Sequence, residues 1–232
     1  MSKMRIIPEI SSASIVLTGD FNPKIFHPLW FSNNKILTQD EAEKAEVEIM
    51  HPEIAIFETE WVKVRVEKKR FVAESTMPPL IRVCDFVVDT FGNFLNHTPI
   101  GRVGINRSVH FRLDDQSKID RLGKSLAPQT AWGEWGDQIE GPSSGDKHGG
   151  LRMIIMEQRN LDDRYRGHIQ AKVEPSKSML NGVIVDINDH YEVEDCNNVI
   201  GCEKIISIVK NNFEKSIKRS DWIIDQVMAL TE

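Results

Sequence analysis

Hydrophobic residues recur along this chain at two spacings, and the order of those spacings predicts the fold. Alternating apolar and polar residues indicate half-buried strands, whereas apolar residues three and four positions apart indicate amphipathic helices. The first half predicts a strand, a short helix, three strands and a long helix, and the second half predicts the same order again. We therefore expect an α+β protein of tandem β-α-β-β-β-α units, forming a curved antiparallel sheet with helices packed on one face.

The first predicted unit occupies residues 1–100. Its strands are expected at 11–18, 46–50, 54–59 and 61–66, with 70–73 completing the last of these beyond a charged hairpin tip. A short helix is expected at 23–31, where Pro follows the N-capping Asn22. The strongest helical pattern covers 80–95 and ends before Pro99, because the residue before proline disfavours helical geometry.

The second predicted unit occupies residues 101–232 and begins with a strand, 101–113, that also closes the first unit. A helix at 117–126, strands at 151–158, 167–173 and 180–188, and a helix at 199–217 follow. Ser220 and Asp221 predict the cap of a separate terminal helix. Residues 136–150, rich in Gly and Ser, predict a flexible surface loop inside this unit. The two units are expected to form separate small domains or one continuous domain.

Two resemblances accompany this pattern. The order of elements resembles the tandem arrangement of TATA-binding-protein-like folds, which implies a fold and no activity. The segments VIVDIND (183–189) and NNFEKSI (211–217), with RVGINR (102–107) as a companion, are similar to segments of an uncharacterised family of bacterial proteins of about this length. That resemblance implies a bacterial, cytosolic protein.

Composition indicates a globular protein without a membrane partner. Of the 232 residues, 40% are hydrophobic and 28% are charged, and no apolar run approaches the roughly 18 residues of a membrane span. Neither a secretory leader nor an even set of cysteines is evident, so we expect a cytoplasmic location. The net charge of -6 predicts that the molecule as a whole is repelled by nucleic acid.

The polar sides of the predicted strands suggest a local exception to that charge. In strand 101–113 the residues of one parity are polar or basic, and those of the other are apolar except for Arg107. If helices cover the apolar sides, the opposite sheet face gathers seven basic or histidine side chains: Lys63, Arg65, Arg102, His110, Arg112, His168 and Lys172. This face is predicted to bind an anionic or acidic partner, and the alternative is an ordinary solvated face.

Motifs for chemistry are absent from the sequence, so we predict no catalytic residue, no cofactor and no metal site. There is no GxSxG, no catalytic Cys signature and no phosphate-binding loop. His190, Cys196 and Cys202 are spaced too widely for a zinc site. Trp132 and Trp135 are expected to pack as an anchor for the neighbouring loop, with an exposed binding edge as the alternative.

These observations predict a non-enzymatic macromolecule-binding protein that is a component of a bacterial multi-protein assembly. Its expected partner is another protein or a second copy of itself. One alternative is a nucleic-acid-binding module that uses the basic sheet face. The other is a hydrolase whose dispersed acidic residues, such as Asp186 and Asp189, converge in the fold.

Overall fold

A computed structural model describes residues 5–139 and 148–232, and within them nine strands form a single open antiparallel sheet. Residues 140–147 of the loop expected at 136–150 lie outside the described residues. The strands are β1 (Ile10–Gly19), β2 (Glu46–His51), β3 (Ile54–Glu58), β4 (Lys63–Glu67), β5 (Arg70–Ser75), β6 (Ile100–Arg112), β7 (Ile154–Gln158), β8 (Arg166–Pro175) and β9 (Gly182–Glu192). Their order is β2-β3-β4-β5-β1-β6-β9-β8-β7. The expectation of an α+β protein with an antiparallel sheet is confirmed.

The helices that pack on the sheet cover one of its faces. The helices are α1 (Pro28–Asn33), α2 (Gln39–Glu43), α3 (Ile81–Val88), α4 (Gln116–Leu126), α5 (Glu134–Ile139) and α6 (Glu203–Met228). Helix α3 continues as a π-helical turn, Asp89–Phe94. Side chains of α3, α4 and α6 share buried clusters with the apolar parity of the strands, as in Ile15 of β1 and Val109 of β6. This arrangement leaves the opposite sheet face free of these helices.

A polar seam divides the buried core into two clusters. In β6, Ile105 belongs to one cluster and Val109 to the other, with the buried Arg107 between them. Arg107 donates from Nε to Asp221 Oδ1 of α6 at 2.9 Å and from Nη1 to Ser12 O at 2.9 Å. In β9 the buried Asp189 occupies the corresponding boundary. Arg107, which interrupts the apolar pattern of β6, therefore contributes the contact that holds α6 on the sheet.

Asp189 anchors the second half of this seam. Its Oδ1 accepts a hydrogen bond from Arg164 Nη1 at 2.5 Å, and its Oδ2 lies 3.7 Å from Arg219 Nη1 of α6. The Arg164 guanidinium stacks over the Tyr191 ring at 3.8 Å, and the Tyr191 hydroxyl hydrogen-bonds to Ser216 of α6 at 3.0 Å. The sheet thus presents Arg107 and Asp189 to α6. The helix supplies the opposite charges, Asp221 to Arg107 and Arg219 to Asp189.

Three sequence predictions differ from the structure. The first half contains four strands after its short helices, because the turn at Lys68 and Lys69 separates two full strands, β4 and β5. Helix α6 runs unbroken past the terminal cap expected at Ser220 and Asp221. Ser220 Oγ donates back to Ser216 O at 2.8 Å, and Asp221 is occupied by Arg107. Residues 136–139 of the expected loop belong to α5.

Candidate binding face of the sheet

The helix-free side of the sheet, called the open face below, consists of the side chains whose parity is opposite to the core. At its centre these are Ser14 and Val16 of β1, Gly104 and Asn106 of β6, and Asn188 of β9. Because antiparallel register sets directly opposed residues side by side, they form cross-strand rows. All of these side chains except Gly104, which is buried, are half-buried, so neighbouring strands shield them.

All seven basic or histidine residues predicted for a partner site lie on the open face, but they do not form one cluster. Lys63 and Arg65 belong to β4, whereas His168 and Lys172 belong to β8. Five strand spacings separate β4 from β8 in the sheet order, which corresponds to about 24 Å. The sequence therefore identified the face, and the structure spreads the seven residues across most of its width.

Carboxylates pair with the lysines and arginines of this set. The pairs are Lys63 with Glu58 at 3.2 Å, Arg65 with Glu67 at 2.6 Å, Arg102 with Glu192 at 3.4 Å, Arg112 with Glu9 at 2.6 Å, and Lys172 with Glu174 at 2.8 Å and Asp186 at 2.9 Å. Hydrogen bonding to Glu174 and Asp186 raises the pKa of Lys172 despite its partial burial. The lysines and arginines predicted to form a basic face are consequently paired with carboxylates.

The two histidines of β8 and β9 stack on each other beside the centre of the open face. The rings of His168 and His190 are 4.8 Å apart between centroids and inclined by 27°. His190 Nε2 lies 3.2 Å from Glu192 Oε1. Burial lowers the pKa of His190, and this effect outweighs the opposing hydrogen bond to Glu192. Burial therefore favours the neutral form of the His190 imidazole.

The open face holds hydroxyl–imidazole and hydroxyl–carboxylate contacts that do not combine into a catalytic triad. His110 Nδ1 lies 2.8 Å from Ser176 Oγ, and Ser108 Oγ donates to Asp186 Oδ1 at 2.5 Å. In the described chain no carboxylate is hydrogen-bonded to the other nitrogen of His110. Asp186 lies on the open face and Asp189 on the core face, where it is 1% exposed, so these two acidic residues do not converge.

A depression of about 540 Å³ lies at the centre of the open face. Its floor is a row of uncharged polar side chains from four adjacent strands, directly opposed in register: Ser14, Asn106, Asn188 and Gln170. Val16 and Val72 supply an apolar wall on the β1 and β5 side. The charged residues that line it are Arg70, Arg107 and Lys172, with Glu74 and Asp186, so both signs are present; the Arg107 side chain is paired with Asp221 of α6.

Gly104 shapes the floor of this depression. A Cβ at this position would lie 2.7 Å from Asn188 Oδ1, so a larger residue here would require that carboxamide to move. Asn188 Oδ1 is buried without a hydrogen-bond partner among the described residues. Sequence reasoning placed Asn106 and Gly104 on the polar side of β6 but did not single them out. Their opposition to Asn188 depends on the β6–β9 pairing, which a single sequence does not reveal.

The cysteines and the two neighbouring tryptophans lie outside the depression. Burial raises the pKa of Cys84 to about 12 and that of Cys202 to about 11, and both thiols are buried. Among the described residues no group of three or more His, Cys, Asp or Glu side chains is placed to hold a metal ion. The rings of Trp132 and Trp135 contact each other at 5.4 Å, yet each residue is 58% exposed. The loop that they are expected to anchor lies largely outside the described residues, so that expectation stays a prediction.

Comparisons with known proteins give no further assignment. No described helix is both long enough and apolar enough to cross a membrane. No protein-family model matches the chain, and no curated protein is significantly similar to it.

Proposed function

We propose that this protein is a non-enzymatic binding protein that holds a segment of another protein on the open face, as one component of a bacterial assembly in the cytoplasm. The observation that carries this proposal is the depression at the centre of the face, with its uncharged hydrogen-bonding floor and with charged residues of both signs around it. A sheet face of this area, uncovered by helices and rich in side chains that form directed hydrogen bonds, suits a partner with a complementary polar surface.

The charge pairing favours a protein partner over nucleic acid. Binding to phosphates draws its affinity from lysines and arginines that neutralise the backbone and release counterions. On the open face those side chains already contact carboxylates, for example Arg102 with Glu192 and Lys172 with Asp186. A nucleic acid would bring its phosphates close to these carboxylates. Binding to nucleic acid stays the alternative function, and the test below includes it.

We also propose that residues 1–100 and 101–232 are related units of one continuous domain. Two features support this. Strands β1 and β6 begin the two halves and pair antiparallel at the centre of the sheet. Each half also ends in a helix that packs on the core face, α3 in the first and α6 in the second. As part of the same proposal, we infer that the chain is related to the uncharacterised bacterial family and that its element order is that of TATA-binding-protein-like folds.

The test is a selection of binding peptides on the immobilised full-length protein, with single-stranded and duplex oligonucleotides at low salt in a parallel mobility-shift assay. Val16→Arg places a long charged side chain in the depression. Ile200→Arg makes the same change at a residue that is 99% exposed and absent from the depression. We expect peptides to be enriched on the wild type and on Ile200→Arg, and to be lost on Val16→Arg.

Two results would contradict the proposed function. Peptides that bind Val16→Arg as well as the wild type would place the interaction away from the open face. Oligonucleotide binding that Val16→Arg strengthens and Ile200→Arg leaves unchanged, without any enriched peptide, would favour the nucleic-acid alternative. Far-UV circular dichroism of both variants establishes that each is folded before the comparison is made.

A further inference from the structure

The two edge strands of the sheet, β2 and β7, differ in how well their outer edges are protected. An exposed edge presents a row of unpaired main-chain N–H and C=O groups, and proteins commonly block such edges with bulges, charged side chains or proline. Strand β2 has a register irregularity between Val47 and Ile49, and it carries the charged residues Glu46 and Glu48. These features disfavour the addition of a further strand to β2.

Strand β7 carries none of the same protection. In the described chain it pairs with β8 alone, and that pairing runs from Ile154 to Gln158 without a register shift. The strand contains no proline and no lysine, and Glu157 is its one charged residue. Arg159 pairs with Glu157 at 2.5 Å, which compensates this charge. The outer edge of β7 is therefore open to another extended chain.

Exposed apolar side chains accompany this open edge on both faces of the sheet. On the open face, Ile155 lies opposite Lys172 and is 44% exposed. On the core face, Met156 lies opposite Ala171 and is 65% exposed, and Ile154 packs against the second core cluster. An exposed apolar edge strand is a site at which chains associate, because a further strand satisfies its main chain and covers its side chains together.

The sequence of β7 is complementary to a second copy of itself. In an antiparallel pair with a two-fold axis at Ile155, this residue lies opposite Ile155 of the second copy, and Ile154 lies opposite Met156 of the second copy. Apolar side chains then meet on both faces of the sheet, and Glu157 lies beyond them. An axis at Met156 would instead place Ile155 opposite Glu157. The axis at Ile155 is therefore the one that matches apolar residues.

We propose that the protein forms a dimer through β7, in which the sheets of two copies join antiparallel into one continuous sheet with Ile155 at the two-fold axis. Main-chain hydrogen bonds align the two strands, and their apolar side chains cover each other. The dimer closes at two chains, because the same edge is used by both copies and the β2 edges are protected. This inference does not rest on the proposed function, since no residue of β7 lines the depression.

The experiment measures the mass of the full-length protein by sedimentation equilibrium over a series of protein concentrations. One chain has a mass of 26.5 kDa, and a dimer has twice that mass. Ile155→Lys places two like charges against each other at the axis. Its matched control is Ile49→Lys, the same substitution in the other edge strand at a residue that is 39% exposed. Ile155→Glu is measured alone and in an equimolar mixture with Ile155→Lys.

We expect the wild type and Ile49→Lys to form dimers with similar dissociation constants. Ile155→Lys and Ile155→Glu should each weaken the dimer by about tenfold or more, because like charges directly opposite each other destabilise a strand pair. The mixture of the two variants should dimerise again, since opposite charges then meet at the axis. Variants that had lost their fold would not show this recovery.

Three results would overturn the dimer. The first is a wild type that stays monomeric at every concentration. The second is a dimer that Ile155→Lys leaves intact or that Ile49→Lys disrupts, because the contact would then lie elsewhere. The third is a mixture that stays monomeric, which would contradict the pairing of Ile155 with its own copy. None of these results decides the proposed function, because Val16→Arg tests the depression and leaves β7 unchanged.

Discussion

The buried pair of Arg107 and Asp221 should hold α6 on the sheet, and its removal should cost more stability than any surface ion pair. The Arg107 side chain is 6% exposed and that of Asp221 is 14% exposed. Arg107 makes three hydrogen bonds, to Asp221, to the Ser11 hydroxyl and to the Ser12 carbonyl. Arg107→Met therefore leaves a largely buried carboxylate without its counter-charge and a buried carbonyl without its donor.

The size of the loss follows from that burial. Removing one partner of a buried ion pair costs about 3–5 kcal/mol, because the other charge stays buried and uncompensated. The double variant Arg107→Met with Asp221→Leu removes both charges, so it should lose clearly less stability than Arg107→Met alone. The control is Lys218→Met, which breaks the pair with Glu214 on the same helix, where both side chains are more than 60% exposed. Its expected cost is below about 0.5 kcal/mol.

The assay is equilibrium unfolding in urea, followed by far-UV circular dichroism and tryptophan fluorescence, on the wild type, the three variants and Asp221→Leu alone. The double-mutant cycle then gives the coupling energy between the two positions, and we expect at least about 2 kcal/mol. A loss below about 1 kcal/mol for Arg107→Met, or additive single and double variants, would refute the view that this pair docks α6.

Two further predictions concern titratable groups. Burial lowers the pKa of His190 in the folded protein, so the unfolded chain binds this proton at a higher pH than the folded chain does. The free energy of unfolding should therefore decrease as the pH falls through about 6.5. The urea midpoint of His190→Gln should depend less on pH between about 5 and 8 than that of the wild type. A His190→Gln profile parallel to that of the wild type would contradict this. Because burial raises the pKa of Cys84 and of Cys202, both thiols should react with iodoacetamide more slowly than the partly exposed Cys196. Mass spectrometry of the labelled peptides measures the three rates. Equal labelling of all three cysteines in the folded protein would contradict this prediction.

Local periodicity predicted those elements whose apolar pattern is determined by the core alone. The strand expected at 101–113 is observed as β6, Ile100–Arg112, and the helix expected at 117–126 as α4, Gln116–Leu126. The prediction was wrong where a residue's partner is distant in sequence. Ser220 and Asp221 have the composition of a helix cap, but Asp221 is bound by Arg107, 114 residues away, so the helix continues.

The candidate site was predictable to a similar extent. Strand parity correctly placed Arg102 and Lys172 on one face, because alternation is a local property. The carboxylates that pair with them, Glu192 and Asp186, are supplied by β9, and a single sequence does not reveal which strands are neighbours. The sequence therefore indicated a basic face where the folded sheet has ion pairs. The opposition of Asn106 to Asn188 depends on the same strand pairing.

The most direct test of the account is to locate a bound peptide on the protein. The tightest peptide from the selection is synthesised with a nitroxide spin label at one end, and paramagnetic broadening of the protein signals is measured. We predict broadening on the open face around the depression, centred on Gly104, Asn106 and Asn188, with residues of α6 unaffected. Broadening confined to the edge strands β2 or β7, or to Trp132 and Trp135, would contradict the claim that the open face is the binding site.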